Sequence, residues 1–202
     1  MEIGLNDAYS LKTPEDNKEL YAKWAATYES DFVANAGYQH PKVISELFHR
    51  EVPEVQTVID IGAGTGLVGK YLKTFRPDIT IDGIDISPEM LAEAAKKNVY
   101  RNLYERDLSQ KVINTSAPYD ALITIGTFTH GHLGPDALLN IFPLVKPSGH
   151  FVIAVNEKHF LENNFLDFLL AHEKTIIYMD KIHVYDETSE HRNSLNVVMI
   201  IK

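Results

Sequence analysis

The chain has 202 residues, of which 45% are hydrophobic and 23% are charged, a composition typical of a globular domain. Its formal charge of −9 argues against nucleic acid as the main partner, because binding a phosphate backbone needs clustered Lys and Arg. The absence of cysteine excludes disulfides, thiolate metal ligands and a cysteine nucleophile. We find no apolar run of about 18 residues and no signal-peptide pattern, so we expect a cytoplasmic protein without a membrane partner.

Residues 1–50 are predicted to form a helical extension. Thr13 to Asp16 is typical of a helix start, with a capping residue, a proline at the first helical position and acids in the first turn. Tyr21, Trp24 and Tyr28 then recur at three- and four-residue spacing and give this helix an aromatic face. That face either packs on the core or closes over a ligand, and the two interpretations are compatible.

The next stretch, Thr57 to Gly69, predicts a buried strand, a glycine turn and a helix, which together form half of a βαβ unit. Glycines permit positive φ and a close approach of the backbone to a ligand. The pattern has two interpretations. Gly64, Gly66 and Gly69 fit the dinucleotide fingerprint G-x-G-x-x-G, whereas Asp60 followed by Gly62, Gly64 and Gly66 reads D-x-G-x-G-x-G.

Two acids follow at the ends of the next predicted strands. Asp85 ends the second strand, Ile79 to Asp85, 21 residues after Gly64, where a carboxylate can accept hydrogen bonds from both hydroxyls of a ribose. Asp107 follows a short third strand at Leu103 to Glu105. It either accepts a bond from the exocyclic amine of an adenine or caps a local turn.

A fourth strand is predicted over Tyr119 to Gly126, and the loop that follows it should face a ligand, because ligands of open α/β sheets lie beyond the carboxyl ends of the strands. A turn over Leu144 to His150 leads to a fifth strand, and Lys158 to His172 has a helical pattern. Strand-like residues at 174–185 and 195–201 are separated only by a short polar stretch. They predict an antiparallel hairpin, since a parallel pair needs a long crossover.

This order resembles that of the class I S-adenosylmethionine (SAM) methyltransferases over about residues 15–202. The resemblance rests on the motifs Asp60 to Gly66, Asp85 to Leu91, Asp107-Leu108, Tyr119-Asp120 and Leu144 to Gly149. The closing hairpin discriminates most, because a dinucleotide domain ends in a parallel strand. The opening Leu20 to Tyr28 is similar to that of a small-molecule group that includes the methyltransferase-like protein of the Williams–Beuren region.

The resemblance implies an α/β fold with a Rossmann-like sheet of seven strands, mostly parallel with an antiparallel last strand. Helices would cover both faces, residues 1–50 would form a lid, and residues 51–202 would form the SAM-binding domain. The implied activity is methyl transfer from SAM to a small-molecule acceptor, leaving S-adenosylhomocysteine (SAH). The chain would be a monomer or a homodimer.

The resemblance also implies which residues contact the cofactor. The glycine turn would hold the methionine part with support from Asp60, Asp85 would bind the ribose, and Asp107 would accept from the adenine amine. The full set is Tyr21, Trp24, Tyr28, Asp60, Gly62, Ala63, Gly64, Thr65, Gly66, Asp85, Ile86, Met90, Asp107, Leu108, Gly126 and Thr127. Ile86 and Met90 would enclose the adenine, and the aromatic residues would cover the site.

SAM is already activated, so the protein mainly aligns the acceptor and excludes water. A general base is needed only if the acceptor holds a proton, and His130, with His132 beside it, is the candidate. We expect no metal site, because no matching ligand signature accompanies these histidines. Two other functions stay open: an NAD-dependent oxidoreductase, supported by Gly64, Gly66 and Gly69, and a SAM-binding sensor or partner protein without catalysis.

Overall fold

The computed structural model describes residues 14–52, 54–110, 118–129 and 133–202. The helices are α1 (Pro14–Trp24), α2 (His40–Glu51), α3 (Leu67–Phe75), α4 (Pro88–Lys96), α5 (Leu138–Ile141), α6 (Glu157–Glu162) and α7 (Phe165–Ala171). The strands are β1 (Thr57–Ile61), β2 (Thr80–Asp85), β3 (Asn102–Glu105), β4 (Tyr119–Phe128), β5 (Val145–Asn156), β6 (Ile176–His183) and β7 (Leu195–Ile201). A π-helix (Tyr28–Val33) and a short α-turn (Ala34–Ala36) follow α1, and 3-10 turns (Pro135–Ala137, Phe142–Leu144) flank α5.

The strands form one seven-stranded sheet in the order β3-β2-β1-β4-β5-β7-β6. The five strands from β3 to β5 are parallel to their neighbours, whereas β7 is antiparallel to both β5 and β6. The predicted fold is therefore confirmed, including the closing hairpin that separates it from a dinucleotide domain.

Successive residues of the central strands point to opposite faces of the sheet, so the core has two layers. Val58 of β1 packs with α2 and α3, through residues such as Ile44 and Leu72. Ile59, its neighbour in the chain, packs on the opposite layer with α5, α6 and α7. Within the described ranges, no helix has the length and apolar character needed to cross a bilayer.

The N-terminal helix is shorter than its aromatic periodicity predicts. It ends at Trp24, and the chain continues after a turn as a π-helix. This break keeps the rings together: the centroid of Trp24 lies 5.1 Å from that of Tyr28 and 5.4 Å from that of Phe32. Ring packing therefore decides the local backbone here.

Three other segments differ from their predicted form. The helix predicted over Lys158 to His172 is split, because Asn164 adopts a left-handed conformation with φ 51° between α6 and α7. The turn predicted before the fifth strand is a bulged part of β5, since the register moves from Tyr119 opposite Val145 to Ala121 opposite His150. Of the strand-like stretch at 174–185, only Ile176–His183 forms a strand, β6. Tyr185 beyond it forms an isolated bridge with Tyr38.

Candidate functional site

A cavity opens beyond the carboxyl ends of β1, β2 and β4, where ligands of open α/β sheets bind. It is lined by Tyr21, Tyr28, Tyr38, Pro41, Gly62, Ala63, Gly64, Thr65, Leu67, Val68, Asp85, Ile86, Met90, Asp107, Leu108, Ile125, Gly126, Thr127 and Leu133. The structure thus brings together most of the residues predicted to contact a cofactor. Three lie outside the lining: Trp24, Asp60 and Gly66.

The glycine turn forms one wall of this cavity. Gly62, Gly64 and Gly66 have φ values of 72°, 53° and 86°, which favour glycine. The N–H groups of Gly62 and Ala63 donate to the carbonyl of Ile84 at 2.8 and 2.9 Å, so the turn is anchored to β2. A Cβ on Gly62 would collide with the hydroxyl of Thr127, which belongs to β4. The turn and the end of β4 are therefore fitted to each other.

Tyr100 supports the turn from behind and was missed by the sequence analysis. Its hydroxyl donates to Oδ2 of Asp60 at 2.6 Å and accepts from the N–H of Gly69 at 3.1 Å. A Cβ on Gly69 would lie 2.5 Å from Cζ of Tyr100, and the same ring lies against Gly66 and Gly83. The third glycine of the G-x-G-x-x-G pattern thus accommodates an aromatic ring, so this spacing is no evidence for a dinucleotide.

Asp60 lies beneath the turn and is fully buried. Burial raises its pKa to about 7, an effect that the hydrogen bond from Tyr100 opposes and the charge of Asp85 reinforces. Its second oxygen, Oδ1, has no hydrogen-bond partner among the described residues. Asp60 therefore supports the cavity wall without lining it.

Asp85 lies in the lining at the end of β2, with both oxygens bonded to backbone. Oδ2 accepts from the N–H of Gly64 at 2.8 Å and Oδ1 from that of Ser87 at 2.9 Å. Burial raises the pKa of Asp85, and the bonds from Ser87 and Gly64 oppose this shift. One carboxyl group therefore joins the glycine turn to the start of α4.

Asp107 forms the local turn that the sequence offered as one of its two roles, and its position in the cavity lining leaves the adenine contact a prediction. Its Oδ1 accepts a hydrogen bond from the N–H of Ser109 at 2.8 Å, and this bond closes the local turn. The same residue also lines the cavity. Leu108 beside it is buried, and its carbonyl accepts from Nδ2 of Asn140 at 3.1 Å. The segment after β3 is thus fixed against α5.

Three tyrosines of the N-terminal region line the cavity: Tyr21, Tyr28 and Tyr38. Trp24, predicted to cover the site, is only 3% exposed and packs behind them with Phe32 and Tyr185. Tyr38 was missed because it lies in the Gly37 to His40 break and reaches the cavity through its bridge to Tyr185.

The other lining residues that the sequence analysis missed are Pro41, Leu67, Val68, Ile125 and Leu133. They carry no chemical signature in the sequence. His130 and His132, the candidates for a general base, lie outside the described residues.

Comparison with solved structures identifies the fold. A SAM-dependent methyltransferase from Clostridium acetobutylicum superposes with a TM-score of 0.64 at 17% identity, covering 90% of this chain and 98% of that one. The plantazolicin methyltransferase BpumL in complex with SAH gives a TM-score of 0.62 at 13% identity, covering 94% and 90%. The chain has the class I SAM-dependent methyltransferase fold.

Sequence comparison supports the same family. Residues 59–151 match the family model of a methyltransferase domain. The malonyl-[acyl-carrier protein] O-methyltransferase of Halalkalibacterium halodurans is 31% identical over 103 residues, which are 48% of this chain and 37% of that protein. The match thus spans little more than a third of that relative.

Proposed function

We propose that the chain transfers a methyl group from SAM to a small-molecule acceptor, mainly by positioning the acceptor and excluding water. The observation that carries this proposal is the cavity itself. It places the glycine turn, Asp85 and Asp107 on one side and three tyrosines on the other, at the carboxyl ends of the strands. A methyl donor held on the first side would have its reactive group covered by the second.

The residues present fit the cofactor. Gly64 leaves its Cβ position open, with the nearest atom 4.0 Å away, and the N-terminus of α3 begins at the turn, where a helix favours a negatively charged group. Asp85 would hold the ribose, Ile86 and Met90 the adenine, and Asp107 its amine. When bound, SAM supplies an activated methyl group on a sulfonium. Asp60, Gly66 and Trp24 lie behind the lining, and we assign them to support of these contacts.

The acceptor would occupy the part of the cavity that the cofactor does not need. We assign this part to Tyr38, Pro41, Ile125 and Leu133, which line the cavity but do not belong to the predicted cofactor set. Among the described lining residues there is no Lys or Arg side chain to pair with an anionic acceptor. We infer an acceptor with an apolar or aromatic body and an uncharged reacting group. A malonyl thioester carries a carboxylate, so we do not extend the relative's substrate to this chain.

Several finer assignments belong to the same proposal. His130 is the proposed general base where the acceptor holds a proton. Residues 1–50 would act as the lid of the domain at 51–202, in a cytoplasmic monomer or homodimer. The Leu20 to Tyr28 motif supports a place near the small-molecule group that includes the methyltransferase-like protein of the Williams–Beuren region.

Calorimetric titration with SAM, SAH and NAD tests the cofactor. We expect the wild type to bind SAM and SAH and to give no signal with NAD. We expect an Asp85→Ala variant to bind neither SAM nor SAH. Asp167→Ala, which removes an exposed carboxylate from α7, is the matched control and should bind as the wild type does. Binding of NAD alone would overturn the proposal.

Turnover is then tested with a panel of small acceptors, by following release of SAH. Methylation of uncharged aromatic acceptors in preference to matched carboxylates supports the proposal. Tight SAM binding without turnover of any acceptor would favour the alternative of a non-catalytic sensor or partner protein.

A further inference from the structure

One lysine joins the two sides of the cavity. Nζ of Lys97, at the end of α4, donates to Oε1 of Glu29 at 2.5 Å and to the carbonyl of Thr65 at 2.6 Å. Glu29 lies in the π-helix beside the tyrosine-bearing residues, and Thr65 lies in the glycine turn. A single ammonium group therefore holds a segment that covers the cavity against the turn that forms its wall.

This contact is more enclosed than an ordinary surface ion pair. The side chain of Lys97 is 18% exposed and that of Glu29 is 38% exposed. Burial alone would raise the pKa of Glu29, but hydrogen bonds from Lys97 and Thr65 lower it below its ordinary value. The carboxylate thus stays ionised near neutral pH, and the pair keeps its charge where it meets the turn.

The Lys97–Glu29 pair lies next to residues that line the cavity on both of its sides. Tyr28, which lines the cavity, directly precedes Glu29, and Thr65 follows Ala63 and Gly64, which also line it. If the π-helix moves away, Lys97 loses Glu29, one of its two acceptors. The carbonyl of Thr65 is then bonded to a lysine that is no longer held by Glu29. Order in the turn and order in the segment are therefore linked by the same bonds.

We propose that Lys97 is a positioning residue that couples the tyrosine-bearing segment, from Tyr21 to Tyr38, to the glycine turn, so that cofactor binding and closure of the segment strengthen each other. The identity of the ligand rests on the proposed function. The coupling itself rests on the two contacts of Lys97. Lys97 touches neither the acceptor nor the reacting atoms in this scheme, and it acts through Tyr28 and the turn.

The test compares Lys97→Met with Lys96→Met. Lys96 is the preceding residue, it is 69% exposed, and its Nζ pairs with Glu93 at 2.6 Å on the surface of the same helix. Both variants remove one positive charge from the end of α4. Lys97→Met should weaken SAH binding about tenfold by calorimetry, whereas Lys96→Met should stay within about twofold of the wild type.

A second readout follows the segment without turnover. Trp24 is the single tryptophan of the chain and packs on Tyr28, so its fluorescence reports the packing of this region. We expect SAH to change the Trp24 emission of the wild type and of Lys96→Met, and to change that of Lys97→Met much less. Lys97→Arg keeps a charged donor and should restore part of the response.

A double-mutant cycle with Glu29→Gln separates coupling from simple destabilisation. If the pair acts as a unit, Lys97→Met in the Glu29→Gln background should weaken SAH binding by less than about threefold. Equal behaviour of Lys97→Met and Lys96→Met in both readouts overturns this inference and leaves the proposed function intact. Failure of the wild type to bind SAM and SAH overturns the proposed function instead.

Discussion

The two sides of the cavity are built in different ways. The glycine turn is held by main-chain bonds to an adjacent strand, as in the bonds from Gly62 to Ile84 and from Gly64 to Asp85. The tyrosine-bearing segment is held by ring packing on Tyr185, by the Tyr38 bridge and by Lys97. The first side is thus preformed by the sheet, whereas the second depends on a few contacts that are distant in sequence. Substitutions on the two sides should therefore have separable effects.

The largest effect is expected from Gly62→Ala, on the preformed side. The residue has φ 72° and its Cβ would collide with Thr127, so the turn must shift. We expect a loss of SAM affinity of at least about 100-fold and a loss of stability of about 3 kcal/mol, measured by calorimetry and urea unfolding. Gly134→Ala is the control, because no atom of the described residues lies within 4 Å of its Cβ position. Unchanged affinity in Gly62→Ala would show that the turn is more adaptable than its contacts indicate.

Asp60→Asn should change how stability depends on pH. The pKa of Asp60 is raised to about 7 in the folded protein by burial, whereas an unfolded chain has the ordinary value near 4. The buried carboxyl therefore costs no stability below about pH 4, and the protein loses stability as the pH rises from about 4 to about 7, where the loss is complete. The variant should gain on the order of 2 kcal/mol relative to the wild type between pH 4 and 8, in urea unfolding at each pH.

Asp120→Asn gives a control of opposite sign. Burial alone would raise the pKa of Asp120, but hydrogen bonds from Lys146, Gln56 and Thr57 hold it below its usual range. Its contribution is present above the ordinary value near 4 and is lost as pH falls through the lower folded value. Asp120→Asn should therefore be less stable than the wild type at pH 7, and the difference should shrink on acidification. Parallel pH profiles for the two variants would contradict both assignments.

The same division explains what the sequence could predict. The glycine turn, Asp85 and the hairpin each leave a local pattern, because strand ends and turns constrain residues close together in the chain. Tyr100 and Tyr38 leave none. Their roles come from the glycines and rings that they meet across the fold, and those partners are separated from them by many residues.

Local signals also failed where packing overrides them. The aromatic periodicity of Tyr21, Trp24 and Tyr28 predicts one continuous helix, but ring contacts with Phe32 favour a break and a π-turn. Trp24 belongs to the correct face, yet it packs behind the lining, since the larger cluster with Tyr185 buries it. A periodic pattern identifies a buried face, and only the packed structure shows which members reach the cavity.

Tyr38→Leu should affect the acceptor more than the cofactor. Its ring packs on Phe32 at 5.3 Å and on Tyr185 at 5.8 Å, and it lines the cavity without belonging to the predicted cofactor set. Once an acceptor that the protein methylates is known, we expect KM for that acceptor to rise about tenfold and the Kd for SAH to change less than about threefold. Tyr38→Phe keeps the ring and should have a smaller effect on KM. A larger loss of SAH affinity than of acceptor affinity would place Tyr38 on the cofactor side.

The smallest effect is expected from Lys18→Met, although Lys18 also ties the N-terminal region to the sheet. Its Nζ lies 2.6 Å from Oε1 of Glu105, but the two side chains are 45% and 49% exposed. Water and salt screen such a pair, and holding two long side chains in one geometry offsets most of the attraction. We expect no measurable change in melting temperature or SAH affinity at 0.15 M salt, in contrast to Lys97→Met. If the two variants weaken SAH binding equally, the segment is held by net charge rather than by the geometry at Lys97, and adding salt should then weaken wild-type binding to the same extent.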